Sequence, residues 1–541
     1  MKPELVKQAR EEELQWVNGQ KIFDTTLISF EEAKERMNGV PPISVKWVDT
    51  NKGDDIRAKY RSRLVAREIK RLKKAHQQLE AKHLFSAMPP LEAMKVLVSL
   101  LMTTNQKEDL HLALFDISRA HFYGTPEIYV ILPKELNPEG LHGGRACAKL
   151  TKTMYGTQDA SKIWQDEYKE LLVKHGFQMG ISNAAVFKGP KGEKALVHGD
   201  DFLILASQAC IDAFEATLNE KFTLRKEWQI GFGGRDARSG RVLNRIITLE
   251  SHPRRAIIEP DARHAQIIVK ELGLEQAKAV ETPAEKLSSD KQMADANAAP
   301  VGKHEEQLYR SIVMRASYLA QDSPDLSEAV KSLARYMKEP NQAHFSRLKR
   351  LGRFLKGHAL LRNVMYPQET PNRLEVLEDS DHAGCAVTRK STTGLAVMFG
   401  KHCIKHLSNL QSTIALSSGE SEYYALVKAA QVGLGVKAML EDLGVMTTLS
   451  IHSDSSAARG HVGRLGLGKM RHIQTRYLWV QERIRDGHFT VVCIKGKKNP
   501  ADLLTKPLTG PERDRHLKRL GYEYGSPSDQ QKGVLSGTGI G

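Results

Sequence analysis

The stretch Ala195-Leu196-Val197-His198-Gly199-Asp200-Asp201-Phe202-Leu203-Ile204-Leu205-Ala206 decides how this chain is read. Two short apolar runs flank a turn with adjacent carboxylates, the pattern of a β-hairpin closed by Gly199-Asp200. Glycine takes a positive φ there at no steric cost, and aspartate tolerates the turn. Neighbouring carboxylates repel by roughly 4 kcal/mol at 4 Å and an effective dielectric of 20, a cost that a bound cation removes. Alone, such a stretch is most often only a turn, so the surrounding sequence has to decide.

Upstream, Leu112-Ala113-Leu114-Phe115-Asp116-Ile117 reads as a buried strand ending in a carboxylate, and Ala160–His175 as a helix with Ile163, Trp164, Tyr168 and Leu171 inward. Farther back, Ile43–Arg67 reads as a hairpin. Its second strand puts Arg61, Arg63 and Arg67 on one face and Leu64 and Ala66 on the other. Pro89-Pro90 opens a helix with Leu91, Met94, Leu97, Val98 and Leu101 on one side, so this region is an α+β sheet. Residues 1–40, charged and poor in apolar residues, are expected to be an N-terminal arm.

Downstream, helices are expected over Asp325–Met337 and Gln342–Lys356. The second buries Phe345, Leu348, Leu351 and Leu355 and turns Arg347, Lys349, Arg350, Arg353 and Lys356 outward, a candidate phosphate-contacting face. From Leu374 a second α+β pattern begins, with strands to Asp379, over Gly394–Phe399, His402–His406, Leu449–Asp454 and His488–Ile494. Helices follow Ser418 and Pro500. The Gly- and Ser-rich tail from Gly521 is expected to be disordered.

At 541 residues and 40% hydrophobic composition, about three or four domains with real cores are expected. Lys and Arg number 80 against 64 Asp and Glu, a net charge of +16 that favours a polyanionic partner, nucleic acid first. The cysteines, 147, 210, 385, 403 and 493, are too scattered for a zinc knuckle. With no long apolar run and no signal-peptide core, an intracellular protein without a membrane partner is expected, in cytoplasm or nucleus.

Two sets of acids stand at element ends. Asp116 with Asp200 and Asp201 forms the first, if their strands are neighbours. Asp379, Glu420, Asp454 and Asp502 form the second. Oxygen ligands without Cys or His suit Mg²⁺ or Mn²⁺, two ions per site about 3.5–4 Å apart, the arrangement of phosphodiester chemistry. For Glu420 a competing reading is a helix capping box, because Ser417-Ser418-Gly419-Glu420 has the S-x-x-E spacing.

The ordered motifs Tyr60-Arg61-Ser62-Arg63-Leu64-Val65-Ala66-Arg67, Asp116-Ile117-Ser118-Arg119-Ala120-His121-Phe122, Met154-Tyr155-Gly156 and Gly199-Asp200-Asp201 are followed by Arg389-Lys390-Ser391-Thr392-Thr393-Gly394, Ser417-Ser418-Gly419-Glu420-Ser421-Glu422-Tyr423 and Ala501-Asp502-Leu503-Leu504-Thr505-Lys506. Over about residues 40 to 510 this succession resembles the reverse transcriptase and ribonuclease H portion of copia-type LTR retrotransposon polyproteins. The resemblance implies a multidomain α+β protein, a right-hand polymerase followed by a ribonuclease H-like domain. Its divisions would be an arm (1–40), fingers and palm (41–240), a helical thumb and connection (241–370), the nuclease domain (371–510) and a tail (511–541).

By the same resemblance, Asp116, Asp200 and Asp201 hold metal in an RNA-directed DNA polymerase, and Asp379, Glu420, Asp454 and Asp502 hold it in a hybrid-cleaving nuclease. Asp381 and Glu422, two residues away, are the nearest alternatives. Arg61, Arg63, His121 and Gln158 become candidates for the incoming dNTP, and Arg347, Lys349, Arg350, Arg353 and Lys356 for nucleic acid. The implied partners are RNA template, DNA primer and RNA–DNA hybrid. The sequence departs from the family at His198-Gly199, where Tyr and a small apolar residue are usual, at His121 and at His382. Those departures motivate the alternative of a co-opted nucleic-acid-binding protein that no longer polymerises. No zinc knuckle, protease or integrase motif is read, so autonomous transposition is not expected.

Overall fold

The computed structural model describes residues 2–51, 59–68, 86–104, 109–123, 128–157, 159–234, 236–358, 360–468 and 470–525, the side chain of His121 excepted. In chain order the elements begin α1 (Pro3–Gly19), α2 (Phe30–Arg36), β1 (Ile43–Asn51), β2 (Tyr60–Ala66), α3 (Leu91–Leu101), β3 (His111–Ile117), β4 (Tyr129–Ile131) and β5 (Cys147–Lys149). They continue with α4 (Ala160–Lys174), β6 (Gln178–Met179), β7 (Val186–Lys188), β8 (Lys194–His198), β9 (Asp201–Ala206), α5 (Gln208–Asn219) and β10 (Leu224–Ile230). The chain divides into two compact units. The first takes residues 1–89, 115–203 and 209–227, and the second takes 90–114, 204–208 and 228–541.

In the first unit one sheet has the order β2-β1-β4-β5. A second sheet, ordered β10-β3-β9-β8-β7-β6, brings its acid-bearing strand ends into this unit. The expected hairpin forms: β8 and β9 are joined by Gly199 and Asp200, and Gly199 has φ +67°. The N-terminal residues correct the expectation of a loose arm. Helix α1 buries Ala9, Glu13 and Val17, and Val17 and Ile22 share a core with Leu64, Ala66, Phe122 and Met154. The reason is electrostatic as well as apolar. Glu13 accepts from Arg63 at 2.6 Å and Arg119 at 3.0 Å, so a sparse apolar stripe is supplemented by a buried carboxylate with two partners.

The second unit adds β11 (Ser239–Val242), β12 (Arg245–Ser251), β13 (Arg254–Pro260), α6 (Arg263–Glu271), α7 (Ser289–Ala296), α8 (Lys303–Leu319), α9 (Pro324–Ala334), α10 (Gln342–Gly357) and β14 (Leu361–Met365). After these come β15 (Arg373–Asp381), β16 (Thr392–Phe399), β17 (His402–Leu410), α11 (Ser418–Asp442), β18 (Thr448–Ser453), α12 (Ser456–Val462), α13 (Trp479–Arg485), β19 (Thr490–Cys493), α14 (Gly510–Arg519) and β20 (Tyr522–Tyr524). Helices α9 and α10 form where the helical periodicity implied, and with α6 and α8 they bury Ile268, Tyr309, Ile312, Leu326, Leu348 and Leu351 together.

Two boundaries move. The 241–370 segment is not purely helical, because β11, β12, β13 and β14 form a sheet of order β11-β12-β13-β14-β20. The last strand of that sheet comes from the expected tail: Leu361 pairs with Tyr524 and Asn363 with Tyr522. Leu517, Leu520 and Tyr522 join Leu361, Leu377 and Leu504 in one core, so apolar burial orders residues 510–525. Residues 526–541 of that tail lie outside the described residues.

The final sheet is ordered β17-β16-β15-β18-β19, with β15 antiparallel to β16 and parallel to β18. Strand β15 is central and buried on both faces over Leu377–Ser380, which explains how Glu378 and Asp379 are both inside although successive side chains alternate.

Candidate metal centres

On β3, Phe115 and Ile117 are fully buried, and the pleat turns the intervening Asp116 to the other face. The Ile117 N–H donates to the Asp200 carbonyl at 3.0 Å, which seats the β8–β9 turn beside Asp116. Trp164 Nε1 donates to the Gly199 carbonyl at 2.7 Å and fixes the turn from the other side. Burial, then Asp200, raises the Asp116 carboxyl. Asp201 is pushed up to about 7 by burial first, then by Asp200, Asp116 and Glu227. The three expected acids therefore share one field.

Glu227 on β10 is a fourth member, acting on both Asp116 and Asp201, and it escaped the sequence reading. The available signal was the Arg225–Glu227 pair on one strand face, held at 2.7 Å. Arg61 is exposed on β2, and its charge lowers the Asp116 carboxyl. Arg63 is corrected: its guanidinium is spent on buried Glu13 rather than left for a ligand. Tyr155 packs edge-on against Phe122 at 5.5 Å, and its carbonyl accepts from the Ala66 N–H at 2.7 Å. A Cβ on Gly156, at φ +92°, would run into the Ala66 carbonyl, so only glycine lets this loop lie against β2. Gln158 and the His121 side chain lie outside the described residues.

In the second unit, one ligand oxygen each from Asp379, Glu422 and Asp454 lie within 4.8 Å of one another, the one such group among the described residues. They come from β15, α11 and the end of β18. Asp502, in the 3₁₀ turn Pro500–Leu504, is close enough to raise both Asp379 and Asp454. Gly394 makes that approach possible. It pairs with Asp379 across β15–β16, and a Cβ there would meet Thr505 Cγ2 at 2.7 Å, the Ala501 carbonyl at 2.8 Å and Leu504 Cβ at 2.8 Å.

Glu420 is corrected to a structural role. Ser417 caps α11 by accepting from the Glu420 N–H at 3.2 Å. The Glu420 carboxylate itself accepts from Tyr424 at 2.8 Å, pairs with His472 at 2.8 Å and accepts from the Leu416 N–H at 3.0 Å. Two residues along a helix is a rotation of about 200°, so Glu422 points to the sheet where Glu420 cannot. Asp381, the other near alternative, stays outside the group and faces Lys331 and Glu328.

Burial followed by Glu378, Asp379 and Asp454 pushes Glu422 up to about 10. Asp379 is pushed up to about 6 by burial and Asp502, opposed by the Thr505 hydroxyl, which donates to it at 2.5 Å. Glu378, completely buried behind Asp379, is raised well above the usual carboxylate range by burial and was also missed. Carboxylates crowded to this degree, with oxygen as the donor type, fit a hard divalent cation.

The basic face of α10 is corrected too. Arg347 pairs with Asp295 and Arg350 with Glu285, while Arg350 also donates to Thr282 at 2.9 Å. Arg353 donates to the Lys278 carbonyl at 2.6 Å and Lys356 to the Ala277 carbonyl at 2.7 Å. Those cations fasten the chain's own 277–295 segment. Lys349, exposed, lies 5.4 Å from the Phe345 ring centroid.

A palm-type sheet with carboxylates at a strand end and hairpin turn, followed by a ribonuclease H-like sheet ringed by four acids, defines the reverse transcriptase class of fold. The foamy viral protease–reverse transcriptase solved in complex with an RNA/DNA hybrid shares this fold at TM-score 0.52 and 12% identity, over 94% of this chain and 56% of that one. Residues 33–232 match the reverse transcriptase (RNA-dependent DNA polymerase) family.

Two plant relatives extend the match. The retrovirus-related Pol polyprotein from transposon TNT 1-94 of Nicotiana tabacum is 25% identical over 87% of this chain, and that from transposon RE1 of Arabidopsis thaliana is 26% identical over 90%. Over most of its length the chain is similar to these retrovirus-related Pol polyproteins, and its residues 33–232 carry the reverse transcriptase match. It spans about a third of those relatives' length, 35% and 32%. No helix among the described residues is long and apolar enough to cross a membrane.

Proposed function

We propose that the chain is an RNA-directed DNA polymerase joined to a nuclease that cleaves the RNA of an RNA–DNA hybrid. The observation that carries this reading is the gathering of Asp379, Glu422 and Asp454 within 4.8 Å, with Asp502 beside them, in a chain whose polymerase acids also share one field. Asp116, Asp200 and Asp201 would hold divalent cations, Mg²⁺ or Mn²⁺, at the first site, and Asp379, Glu422, Asp454 and Asp502 at the second, two ions at each. Bound there, the ions supply activation of the attacking oxygen and charge stabilisation for the departing one.

The protein's own part is positional. The Trp164 bond to Gly199 and the Ile117 bond to Asp200 fix the turn, so the first site's carboxylates are preorganised for a primer end and an incoming dNTP. Arg61 presents an exposed guanidinium suited to a triphosphate. In the second site, Thr505 orients Asp379, and Gly394 admits the turn that carries Asp502. The net charge of +16 favours the polyanionic template and hybrid.

Two assays test the reading. On a primed RNA template, wild type is expected to incorporate dNTPs and Asp200→Asn to lose incorporation. On a hybrid with labelled RNA, Asp379→Asn is expected to lose cleavage. Equal activity of wild type and variant in either assay removes the role assigned to that site.

A further inference from the structure

We propose that Lys506 is a built-in counter-ion of the nuclease carboxylates, one that steadies the cluster before a divalent cation binds and is displaced when it arrives. The inference rests on reading Asp379, Glu422, Asp454 and Asp502 as a divalent-cation site. Lys506 Nζ lies 2.7 Å from Asp502 Oδ1, four residues along the same segment. Its positive charge also reaches Asp379 and Asp381. With Asp454, which it also acts on, a single ammonium therefore serves four carboxylates, two of them cluster members by geometry and one its immediate partner.

Two features make the arrangement reversible. The Lys506 side chain is 46% exposed, and half-exposed ion pairs contribute little net free energy, so Asp502 is held but not locked. A divalent ion attracted by several carboxylates at once outcompetes it. Lys506 also borders a cavity of about 330 Å³ whose wall includes Asp381 and Glu328, so a displaced ammonium has room beside other carboxylates. Lys331, also on that wall, is already engaged by Thr392 at 2.9 Å and Glu328 at 3.3 Å and does not duplicate the role. Among the described residues no lysine forms an ion pair with Asp116, Asp200 or Asp201, so the device belongs to the nuclease site.

The test is calorimetric titration of Mn²⁺ into the full chain carrying Asp116→Asn, Asp200→Asn and Asp201→Asn, which removes the three polymerase acids from the signal. In that background Lys506→Gln is expected to bind Mn²⁺ about tenfold more tightly, because a repelling charge has gone. Lys506→Arg, which keeps the charge, is expected to match the parent. In EDTA the Lys506→Gln chain is expected to melt lower than the parent and to gain more on adding Mn²⁺. Equal or weaker Mn²⁺ affinity in Lys506→Gln overturns the counter-ion role by itself. A parent chain that binds no Mn²⁺, or whose binding survives Asp454→Asn, overturns the cation-site reading and this inference with it.

Discussion

The carboxylates of β3 and the β8–β9 turn, and those of β15, α11, β18 and the Pro500–Leu504 turn, differ in how much of the chain is needed to assemble them. The first set needs two neighbouring strands and one turn, and Asp200 stays exposed at its tip. The second draws on four elements between Asp379 and Asp502, and its members are buried or half-buried. A site made by one turn tolerates imprecision elsewhere. A site made by four elements depends on how closely each approaches the others, which is why a glycine on β16 governs an acid more than a hundred residues away in the chain.

The choice between Glu422 and Glu420 offers the largest test of that difference. Glu422→Gln is expected to lower hybrid cleavage by about three orders of magnitude, as loss of a group acting on the reacting centre does. Glu420→Gln is expected to cost less than about tenfold in cleavage, the range of a supporting contact, while lowering the melting temperature because Tyr424 and His472 lose a charged acceptor. Single-turnover cleavage with thermal unfolding of both variants checks this. The reverse ranking would return Glu420 to the site.

The two glycines separate close packing from backbone conformation. Gly394→Ala is expected to cost about 2–3 kcal/mol in unfolding free energy and to depress hybrid cleavage, because its Cβ meets the backbone and side chains of the Asp502 turn. Gly199→Ala meets no atom within 4 Å and pays only for its φ of +67°, about 1 kcal/mol. Equal costs, measured by denaturant unfolding, would mean that the nuclease turn relaxes away from β16 freely.

What was legible in the sequence follows from the same contrast. Asp116, Asp200 and Asp201 could be read because strand alternation and a two-residue turn place them locally. Helix α11 is buried nearly all round from Glu420 to Val427, so no apolar stripe exists to phase it and show which glutamate faces the sheet. The N-terminal helix looked too sparse to pack because Glu13, its anchor, is charged and its partners Arg63 and Arg119 are 50 and 106 residues away. The cations of α10 looked free because much of what they bind is backbone carbonyl and hydroxyl on an unpatterned segment.

Burial of Asp201, reinforced by repulsion within the first set, gives a smaller effect. Asp201, pushed up to about 7 from an ordinary value of 3.8, binds its proton more tightly folded than unfolded. That contribution is therefore fully present below about pH 4 and is lost as pH rises through 7. In EDTA, Asp201→Asn is expected to be more stable than wild type by about 1–2 kcal/mol at pH 8, after allowance for partial exposure, with the difference closing towards pH 5. Thermal unfolding across that range checks it, and a difference independent of pH would show that Asp201 is neither desolvated nor crowded by Asp200 and Asp116 in the folded chain.

The smallest effect asks whether α10 belongs with either site. If Arg353 and Lys356 fasten the 277–295 segment, Arg353→Ala with Lys356→Ala removes two bonds to carbonyls that water can replace, because both residues reach the surface. The expected loss is under about 1 kcal/mol of stability. The salt dependence of hybrid binding is expected to stay unchanged, since a cation committed to its own chain releases no counterions from a phosphate. Lys349→Ala serves as the contrast, because Lys349 is the exposed cation of that helix whose charge is not tied to a carboxylate or carbonyl among the described residues. A shallower salt slope in Arg353→Ala/Lys356→Ala would mean that these bonds open to admit phosphate, and would move α10 from scaffold to nucleic-acid interface.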